Sequence, residues 1–522
     1  MLTITGPPGV GKTRFAIGVA SAVIGEFDEG ALFVDLAPVR DPALVLGTIA
    51  QALGAYVPPD RPVAKVLRDT LRGQNLLLVL DNFEQVAAAA PEVAALLDAA
   101  PDLRLLITSR EPLHVTSEHE YRLSPLSVAD PRALQWTAIR RRPAAVLFTE
   151  RAKAADPTFA LDATNARTVA EICRRLDGLP LAIELAAAWI GRLDPEAILA
   201  RLEARRGLPL DSLEAAGRHR TLAEAIAWSY NLLSDVERAV FRRVGIFAGG
   251  CSIDALEAAC EDLGAGVLAP IAALADKNLV VRSEESAGGQ AGPRIRMLET
   301  LREFALEELN RAGETDAVAG HHARWFLALA ERAEPLLWSQ DQVGWLARLD
   351  REHDNIRAAL RWCFDGHDDE TGVRLAAAMT RYWFARGHFR EGQAWHEVAA
   401  SRPLVPARAR ARALAGLAVL LWPQGETARP HRVAEEALTL ARGVGDPAVL
   451  GWTLLHAGSS AEAAGDLPLA EAHHRELIAV GHAAQDSWLE ARGLTNLAVL
   501  LWTRADGASA RPAAERALVL AR

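Results

Sequence analysis

Eight consecutive residues near the start of the chain have the types and spacing that bind phosphate. From Gly6 to Thr13 they read Gly-Pro-Pro-Gly-Val-Gly-Lys-Thr, which fills every fixed position of the pattern G-x-x-x-x-G-K-[S/T]. Gly6, Gly9 and Gly11 allow the backbone to turn its N–H groups towards an anion. Lys12 can reach the β- and γ-phosphates of a nucleotide, and the Thr13 hydroxyl can hold Mg²⁺. We predict a phosphate-binding loop, called the P-loop below, whose cofactors are ATP or ADP and Mg²⁺.

The alternative for this run is a glycine-rich turn with an accidental lysine. Residues 2–5 predict a short buried strand, and residues 14–23 carry apolar side chains at helical spacing. The run therefore lies between a strand and a helix, as phosphate binding requires. Lysine is also rare in this chain, whose other basic side chains are Arg or His. The four lysines are Lys12, Lys65, Lys153 and Lys277.

An acidic residue follows a second strongly apolar run. Residues 76–80 are Leu-Leu-Leu-Val-Leu, a pattern typical of a strand buried on both faces, and Asp81 comes next. At the carboxyl end of a parallel strand this carboxylate would lie beside the P-loop, where it can hold Mg²⁺ directly or through water. Taken alone, Asp81 could equally be a helix N-cap. Glu84, three residues further on, is a candidate for orienting a water molecule.

A basic residue follows the next apolar strand pattern. Residues 103–107 predict a strand that ends near Thr108, and Arg110 comes two residues later. In this position Arg110 could sense the γ-phosphate of ATP; the alternative is an ordinary surface arginine. With Asp81 and Glu84 it completes the group that we predict to be catalytic.

The elements that must position these residues alternate between strands and helices. Asp41 fits the N-cap of a helix that ends near Leu53. Beyond residue 131 strand patterns give way to helices, and Gly178 allows a sharp entry into a helix that begins at Pro180. The pattern predicts a parallel α/β nucleotide domain followed by a helical domain. The predicted strands are residues 2–5, 31–35, 76–80, 103–108 and 120–123.

Four motifs, in this order and spacing, carry a resemblance to a known family: GPPGVGKT, LLLVLDNFEQ, LLITSR and GLPLAIELAA. They resemble the nucleotide-binding part of the STAND signalling ATPases, NB-ARC-type proteins that include plant disease-resistance receptors, apoptotic adaptors and bacterial transcriptional activators. The resemblance covers about residues 1–310 and is closest to the bacterial regulators. It implies that Pro180, with Gly178, contacts the adenine, that Asp81 binds Mg²⁺, and that ATP is hydrolysed slowly to ADP.

Two motifs depart from the family pattern, one after the strand that ends near Asp81 and one at residues 297–299. Asn82 stands where many relatives carry a second acidic residue, so hydrolysis is expected to be slow or to depend on Glu84. Met297, Leu298 and Glu299 stand where receptors carry Met-His-Asp. Leu298 cannot donate a side-chain hydrogen bond to a β-phosphate, which predicts a weaker hold on ADP.

Residues 223–312 combine helices with a pair of short strand patterns near residues 279–281 and 294–296. A Gly- and Ser-rich stretch from Ser283 to Gly292 lies between the two strands. This arrangement predicts a winged helix. Such a fold often binds DNA, but the family resemblance implies a lever packed on the nucleotide domain, and fold alone does not fix function.

The end of the chain repeats itself. The sequence LAVLLW occurs at residues 417–422 and again at residues 497–502, an offset of 80 (497 − 417). Gly-acidic pairs at residues 425–426 and 465–466 indicate a true period of about 40, the spacing of helix-turn-helix repeats close to tetratricopeptide repeats. We predict a helical linker and a helical-repeat solenoid over residues 313–522, with a concave face that binds a protein or small-molecule effector.

Composition limits the class of protein. A chain of 522 residues is too long for one core, and 50% hydrophobic with 24% charged residues is typical of globular, soluble proteins. The net charge of −10 disfavours a chain that binds nucleic acid or a membrane surface along its whole length. The four cysteines lack zinc-site or disulfide spacing and are predicted to be reduced core residues. Because we find no signal peptide and no apolar run long enough for a membrane helix, we expect a cytoplasmic protein.

The fold class that we predict is multidomain, α/β followed by all-α. Because the first strand begins at Leu2 and the repeats run to Arg522 without a polar capping helix, we expect the chain to be a fragment or to have a late start. The predicted domains are a P-loop NTPase domain (1–128), a helical domain (129–222), a winged-helix domain (223–312) and the helical linker with its repeats (313–522).

Three functions fit these features. The first is a switch in which exchange of ATP for ADP moves the helical and winged-helix domains against the nucleotide domain. For this switch the family resemblance implies a transcriptional output through a DNA-binding module absent from the chain, and self-association in the ATP-bound form. The second function is an ATPase whose turnover drives mechanical or loading work. The third is a scaffold with a structural P-loop. Tightly held ADP would favour the switch, rapid turnover the motor, and an empty site the scaffold.

Overall fold

A computed structural model describes residues 1–58, 61–129, 135–204, 217–264, 266–283, 293–424 and 428–521. The chain divides into two compact units. The first comprises Met1–Tyr56 and Val63–Val318, and the second comprises Val57–Pro62 and Ala319–Arg522.

The first unit contains a five-stranded sheet in which every pair of neighbours is parallel. Its strands are β1 (Leu2–Thr5), β2 (Ala31–Asp35), β3 (Leu77–Asp81), β4 (Arg104–Ser109) and β5 (His119–Arg122). Their order is β2-β3-β4-β1-β5, and β3 is buried along its whole length. The predicted parallel α/β architecture is confirmed, and each strand lies within one residue of its predicted position.

Helices cover this sheet. They are α1 (Lys12–Val23), α2 (Val45–Ala52), α3 (Val63–Leu71) and α4 (Ala90–Ala99). Helix α1 packs Ala16 and Ala20 against Ile4 and Val79 of the sheet, which fixes the helix that follows the P-loop. Before α2, the Asp41 carboxylate accepts a hydrogen bond from the N–H of Ala43 at 2.9 Å, as its predicted capping role requires.

A group of helices follows the sheet. They are α5 (Trp136–Ile139), α6 (Pro143–Ala155), α7 (Ala166–Arg175), α8 (Pro180–Ala187) and α9 (Pro195–Ala204). Pro180 occupies the first position of α8, where its missing N–H costs no helical hydrogen bond. Most of α8 is buried, so its side chains form part of the core of the first unit.

The rest of the first unit combines helices with a small sheet. The helices are α10 (Gly217–Asn231), α11 (Asp235–Val244), α12 (Ile253–Ala259), α13 (Leu268–Asp276) and α14 (Glu299–Arg311). The strands are β6 (Cys251–Ser252), β7 (Val281–Ser283) and β8 (Arg294–Arg296), paired antiparallel in the order β6-β8-β7. The predicted strand pair of the winged helix is therefore present, whereas residues 284–292 of the predicted wing lie outside the described residues.

The second unit is helical in its described part. Its helices are α15 (Thr315–Leu336), α16 (Gln342–Trp362), α17 (Asp369–Arg386), α18 (Phe389–Ala400), α19 (Ala407–Leu421), α20 (Ala428–Val444), α21 (Pro447–Ala463), α22 (Leu467–Ala484), α23 (Ser487–Thr503) and α24 (Gly507–Leu520). Helix α15 begins at Thr315, so its first four residues belong to the first unit, which ends at Val318.

The helices from α19 onward form a regular repeat. Helices α19, α21 and α23 begin at Ala407, Pro447 and Ser487, 40 residues apart (447 − 407 and 487 − 447). This spacing confirms the predicted helical repeat, although Gly425 and Glu426 of the predicted pattern lie outside the described residues. Small residues allow the helices to approach each other closely.

All four cysteines are buried, and none of them forms a disulfide. In the part of the chain that the structure describes, no helix combines the length and the apolar character needed to cross a membrane.

Candidate functional site

The P-loop connects β1 to α1 and lies against the helices that follow the sheet. The carbonyl oxygen of Gly9 accepts a hydrogen bond from the N–H of Leu181 at 3.2 Å. Gly9 has φ of 74°, and a Cβ atom there would lie 2.8 Å from Leu222 Cδ2 and 3.1 Å from Leu181 Cβ. A side chain at Gly9 would thus push the α8 and α10 regions away from the loop, so glycine is required both by the backbone and by this contact.

Lys12 stands at the start of α1 and points its ammonium group back at the loop. Nζ donates to the carbonyl oxygens of Gly6 at 2.9 Å and Pro7 at 3.3 Å. Burial lowers the pKa of Lys12; Arg110 acts in the same direction, whereas Glu84 and Asp81 raise it. All three predicted catalytic residues therefore lie within electrostatic range of this ammonium group, which has no ion pair with a described carboxylate and can turn to a phosphate.

Asp81 ends β3 in a buried position beside the P-loop. Its carboxylate accepts hydrogen bonds from Thr13 Oγ1 at 2.8 and 2.9 Å and from Thr108 Oγ1 at 2.5 Å. Burial raises the pKa of Asp81, the two threonine hydroxyl groups act against this rise, and Asp35 and Glu84 add to it. A buried carboxylate next to a hydroxyl and near other carboxylates is a donor set that Mg²⁺ fits, because the cation would offset the cost of burying the charge.

Asn82 forms the turn that follows β3. It has a left-handed backbone (φ 59°), which asparagine tolerates better than most residues. Its side-chain amide donates to Asp81 Oδ2 at 3.2 Å and to Asp35 Oδ1 at 3.4 Å. An acidic side chain here would add a third negative charge beside these two, so in this chain the amide suits its surroundings better than a carboxylate.

Glu84 and Arg110 form an ion pair near the P-loop. Arg110 Nε donates to Glu84 Oε1 at 3.0 Å, and its NH2 group donates to Glu303 Oε1 of α14 at 2.6 Å. We call this chain of contacts the Arg110 bridge. The other oxygen of Glu84 is buried and has no hydrogen-bond partner among the described residues. Arg110 is thus not an isolated surface side chain, since it links Glu84, which follows β3, to Glu303 of α14.

A second set of contacts lies next to the Arg110 bridge. Glu299, the first residue of α14, is bound by Arg302 at 2.8 Å and lies 3.8 Å from Arg40. Gln85, next to Glu84, also donates to Glu299 Oε1 at 3.4 Å. Two successive turns of α14 therefore contact the part of the chain that surrounds the predicted catalytic residues.

Gly178 and Pro180 lie at the entry to α8. Gly178 has φ of 67°, its carbonyl accepts from the N–H of Leu126, and a Cβ atom would lie 2.2 Å from the oxygen of Leu126. Any other residue at Gly178 would break this contact. Because Leu181 bonds Gly9, the turn that holds Pro180 is fixed directly against the P-loop. The structure thus brings all the predicted site residues into one region, and their roles toward a nucleotide stay predictions.

Three residues of this region were given no role in the site by the sequence. Thr108 donates to Asp81 and accepts from the N–H of Asn82 at 3.0 Å. Thr108 lies near the end of β4, and Asp81 ends the neighbouring strand β3. Because the carboxyl ends of parallel strands share one edge of the sheet, the sequence could have predicted that these two side chains lie close together. Glu299 was marked in the sequence only as the last residue of the Met-Leu-Glu run that stands where receptors carry Met-His-Asp. Glu303 gave no signal, since acidic residues are common on the polar face of an amphipathic helix.

Comparison with protein-family models gives no match. Two proteins of Mycobacterium tuberculosis are clear relatives. Rv0890c, whose name places it with the HTH-type transcriptional regulators, is 37% identical over 507 residues, which are 94% of this chain and 54% of that protein. The chain thus spans about half the length of this relative. Rv0894 is 38% identical over 330 residues, which are 62% of this chain and 80% of that protein.

Among solved structures, similarity extends to the crystal structure of PH0952 from Pyrococcus horikoshii, a Signal Transduction ATPase with Numerous Domains (STAND) protein with a tetratricopeptide repeat sensor. The match covers 99% of this chain and 81% of that chain, with 14% identity and a TM-score of 0.45. The family assignment rests instead on the two sequence relatives. With 38% identity over 80% of Rv0894, the chain belongs to the same protein family as Rv0894.

Proposed function

We propose that this chain is the nucleotide-operated switch of a bacterial transcriptional regulator. The observation that carries the proposal is the Arg110 bridge, because it joins a candidate γ-phosphate sensor to the winged-helix region. The relatives support a regulatory role, and the P-loop geometry supports ATP or ADP as the ligand. The transcriptional output would need a DNA-binding module outside this chain, and the effector would act on the repeats, which we propose to be of the tetratricopeptide type.

Different residues of the site would bind different parts of a nucleotide. Lys12 exchanges its two carbonyl partners for phosphate oxygens, and the turn at Pro180 packs against the adenine. Thr13 and Asp81 would hold Mg²⁺, which supplies neutralisation of the phosphate charge. One carboxylate oxygen of Glu84 has no partner among the described residues, and we expect it to orient the attacking water. Because its other oxygen is occupied by Arg110, we expect slow hydrolysis.

The switch itself follows from competition for one guanidinium group. Arg110 donates to Glu303 when no γ-phosphate is present, and this contact holds α14 against the nucleotide-binding region. A γ-phosphate offers Arg110 a partner with more negative charge than a carboxylate. Arg110 then breaks its hydrogen bond to Glu303, so α14 is held by fewer contacts. The winged-helix region can then move away from the P-loop. The ATP-bound form would then expose surfaces for self-association.

The first test removes the competing carboxylate. Glu303→Gln is expected to raise the affinity for a slowly hydrolysed ATP analogue by roughly three- to tenfold, because Arg110 and Glu303 are 31% and 38% exposed and their contact contributes about 1 kcal/mol. ADP affinity is expected to change less than about twofold, because ADP has no γ-phosphate to compete for Arg110. Paired calorimetric titrations measure both affinities.

Glu307→Gln is the matched control, since Glu307 lies one turn further along α14 and is exposed. It is expected to leave both affinities unchanged. Equal changes for the ATP analogue and ADP in Glu303→Gln, or no change in either, would contradict the Arg110 bridge as a γ-phosphate switch. Rapid turnover in the wild type would favour the motor alternative instead.

We also expect no sequence-selective DNA binding by this chain. Helix α13 precedes the two strands of the wing, where a winged helix presents its recognition helix, and its sequence Leu-Ala-Pro-Ile-Ala-Ala-Leu-Ala-Asp contains no lysine or arginine. A helix without basic residues cannot release counterions from phosphates. Fluorescence anisotropy with a pool of duplexes at two salt concentrations measures this. Salt-sensitive binding to one sequence in preference to the pool would show that the winged helix reads DNA.

A further inference from the structure

The repeat region contains a cavity of about 280 Å³. It lies between the end of α15 and the first two turns of α19, α21 and α23, all within the second unit. Pro335, Val449 and Leu489 form apolar parts of its wall. Its volume is near the lower end of the range for small-molecule sites, so the cavity can hold a compact ligand.

Three tryptophans form another part of the cavity wall, and we call them the tryptophan wall: Trp338, Trp452 and Trp488. The ring of Trp338 lies 6.1 Å from that of Trp452 and 5.7 Å from that of Trp488, both in edge-to-face arrangements. Trp452 and Trp488 stack on each other with centroids 6.0 Å apart. All three side chains are half-buried, so their rings keep surface that a ligand can cover. Aromatic surface of this kind favours a ligand with a flat, apolar body.

Two of these tryptophans are exceptions to the repeat. Helices α19, α21 and α23 begin 40 residues apart, so a residue that packs the repeat has equivalents in all three helices. Buried leucines that recur in this way are Leu414, Leu454 and Leu494. Trp452 instead stands where α19 has Arg412 and α23 has Arg492. Trp488 stands where α21 has Ala448. The repeat itself therefore requires a tryptophan at neither position, which indicates a role specific to this cavity.

The charged residues of the cavity wall already have partners. Arg412 is paired with Glu334, and Arg408 lies 3.2 Å from Asp446. Asp486 caps α23 by accepting from two backbone N–H groups, each at 3.0 Å. Burial raises the pKa of Glu334 even though Arg412 opposes this rise, so this end of the wall is poorly hydrated. A charged ligand would have to displace one of these partners, whereas a neutral ligand leaves them in place.

Positive charge near the tryptophan wall disfavours a cationic ligand. The guanidinium carbons of Arg381 and Arg492 lie 4.1 and 5.1 Å from the centroid of the Trp338 ring. Both arginines are outside the set of residues that line the cavity, so we assign neither a contact with a ligand. Their charges still repel a cation placed against Trp338. An anion would gain no direct partner, because the arginines of the wall, Arg408 and Arg412, are already paired.

We propose that this cavity binds a small uncharged aromatic molecule, whose flat face lies against the tryptophan wall. The inference rests on the proposed function, since it names the chemical class of effector that the repeats would sense. The cavity volume limits the ligand to about one or two rings. A charge on the ligand would lose its water without gaining a partner, so the neutral form is the one that binds.

The test uses the full chain and three probes of similar shape: the neutral indole-3-acetamide, the anion indole-3-acetate and the cation tryptamine. By calorimetry, indole-3-acetamide is expected to bind with Kd of about 1 mM or tighter, the affinity that a ligand of this size reaches in a formed site. Each charged probe is expected to bind at least about fivefold more weakly, because its charge is desolvated without a partner. A charged probe that binds as tightly as the amide, or no binding of the amide at millimolar concentration, would overturn the proposal.

Variants assign the binding to the cavity. Trp452→Arg gives α21 the residue that α19 and α23 carry at this position, and Trp488→Ala gives α23 the residue of α21, so both variants are expected to fold. Each is expected to weaken indole-3-acetamide at least about fivefold, because it removes part of the aromatic surface. Circular dichroism checks that each variant is folded.

Trp502→Ala is the matched control. Trp502 is in the same helix as Trp488, is 73% exposed and lies outside the cavity wall, so this variant is expected to bind the amide normally. Undiminished affinity in both Trp452→Arg and Trp488→Ala would place the amide elsewhere and contradict the proposal.

The same titration in Lys12→Ala separates this inference from the proposed function. The variant is expected to bind indole-3-acetamide normally, since the cavity lies within the second unit and Lys12 lies in the first. Probe binding without nucleotide binding in the wild type would leave the cavity valid and defeat the switch. Nucleotide binding without probe binding would do the opposite.

Discussion

Replacement of Lys12 by alanine is expected to lower the affinity for both ATP and ADP by at least about a hundredfold. Lys12 is the basic group of the P-loop, and its ammonium group is held by carbonyl oxygens that it can exchange for phosphate oxygens without breaking an ion pair. Charge-assisted contacts to two phosphates contribute about 3 kcal/mol, and each 1.4 kcal/mol is a factor of ten. Calorimetric titration with each nucleotide measures the loss.

The fold is expected to survive this substitution, because the loop is held by other contacts, such as that between Gly9 and Leu181. Thermal unfolding without nucleotide checks this. Lys65→Ala is the control, since Lys65 is exposed on α3 and outside the site, and it should bind both nucleotides normally. If Lys12→Ala keeps the wild-type affinities, the P-loop does not bind nucleotide and a structural P-loop becomes the better explanation.

Asp81→Asn is expected to reduce ATP hydrolysis by about a hundredfold and to weaken Mg²⁺-dependent ATP binding by about tenfold. The substitution keeps the shape of the side chain but removes the negative charge that would hold the cation with Thr13. ADP binding measured without Mg²⁺ is expected to change less than about twofold, since Asp81 acts on the nucleotide only through the metal. The measurement therefore compares the loss of ATP affinity in the presence of Mg²⁺ with the loss of ADP affinity in its absence.

The stability of the variant gives a second result from the same protein. The pKa of Asp81 is raised in the fold by burial, so ionisation of this group costs stability as the pH rises through its pKa. At neutral pH and without Mg²⁺, Asp81→Asn should thus unfold at a temperature equal to or above that of the wild type. Asp98→Asn, an exposed acid on α4, is the control for both measurements. Equal losses of affinity with and without Mg²⁺ would indicate that Asp81 is a structural cap.

The sequence by itself determined which residues are candidates for the site. The pattern from Gly6 to Thr13 can be identified without a structure because a phosphate-binding loop needs glycine, lysine and threonine at fixed spacing within one short segment. Asp81 and Arg110 could be placed at strand ends because apolar runs give the strands, and parallel strands end at a common edge. The repeat followed from sequence offsets alone, since stacked units must have equal length.

Contacts between distant segments were decided by the tertiary structure. The pairing of Arg110 with Glu303 spans 193 residues, and no local pattern marks which acidic residue of α14 meets which arginine of the sheet. The grouping of Trp338, Trp452 and Trp488 with Arg381 and Arg492 likewise depends on how the helices stack. In the sequence these tryptophans are ordinary core candidates. A sequence pattern shows which side chains of a helix or strand are buried. Which residues of another segment they contact depends on the angle and register at which the two elements pack.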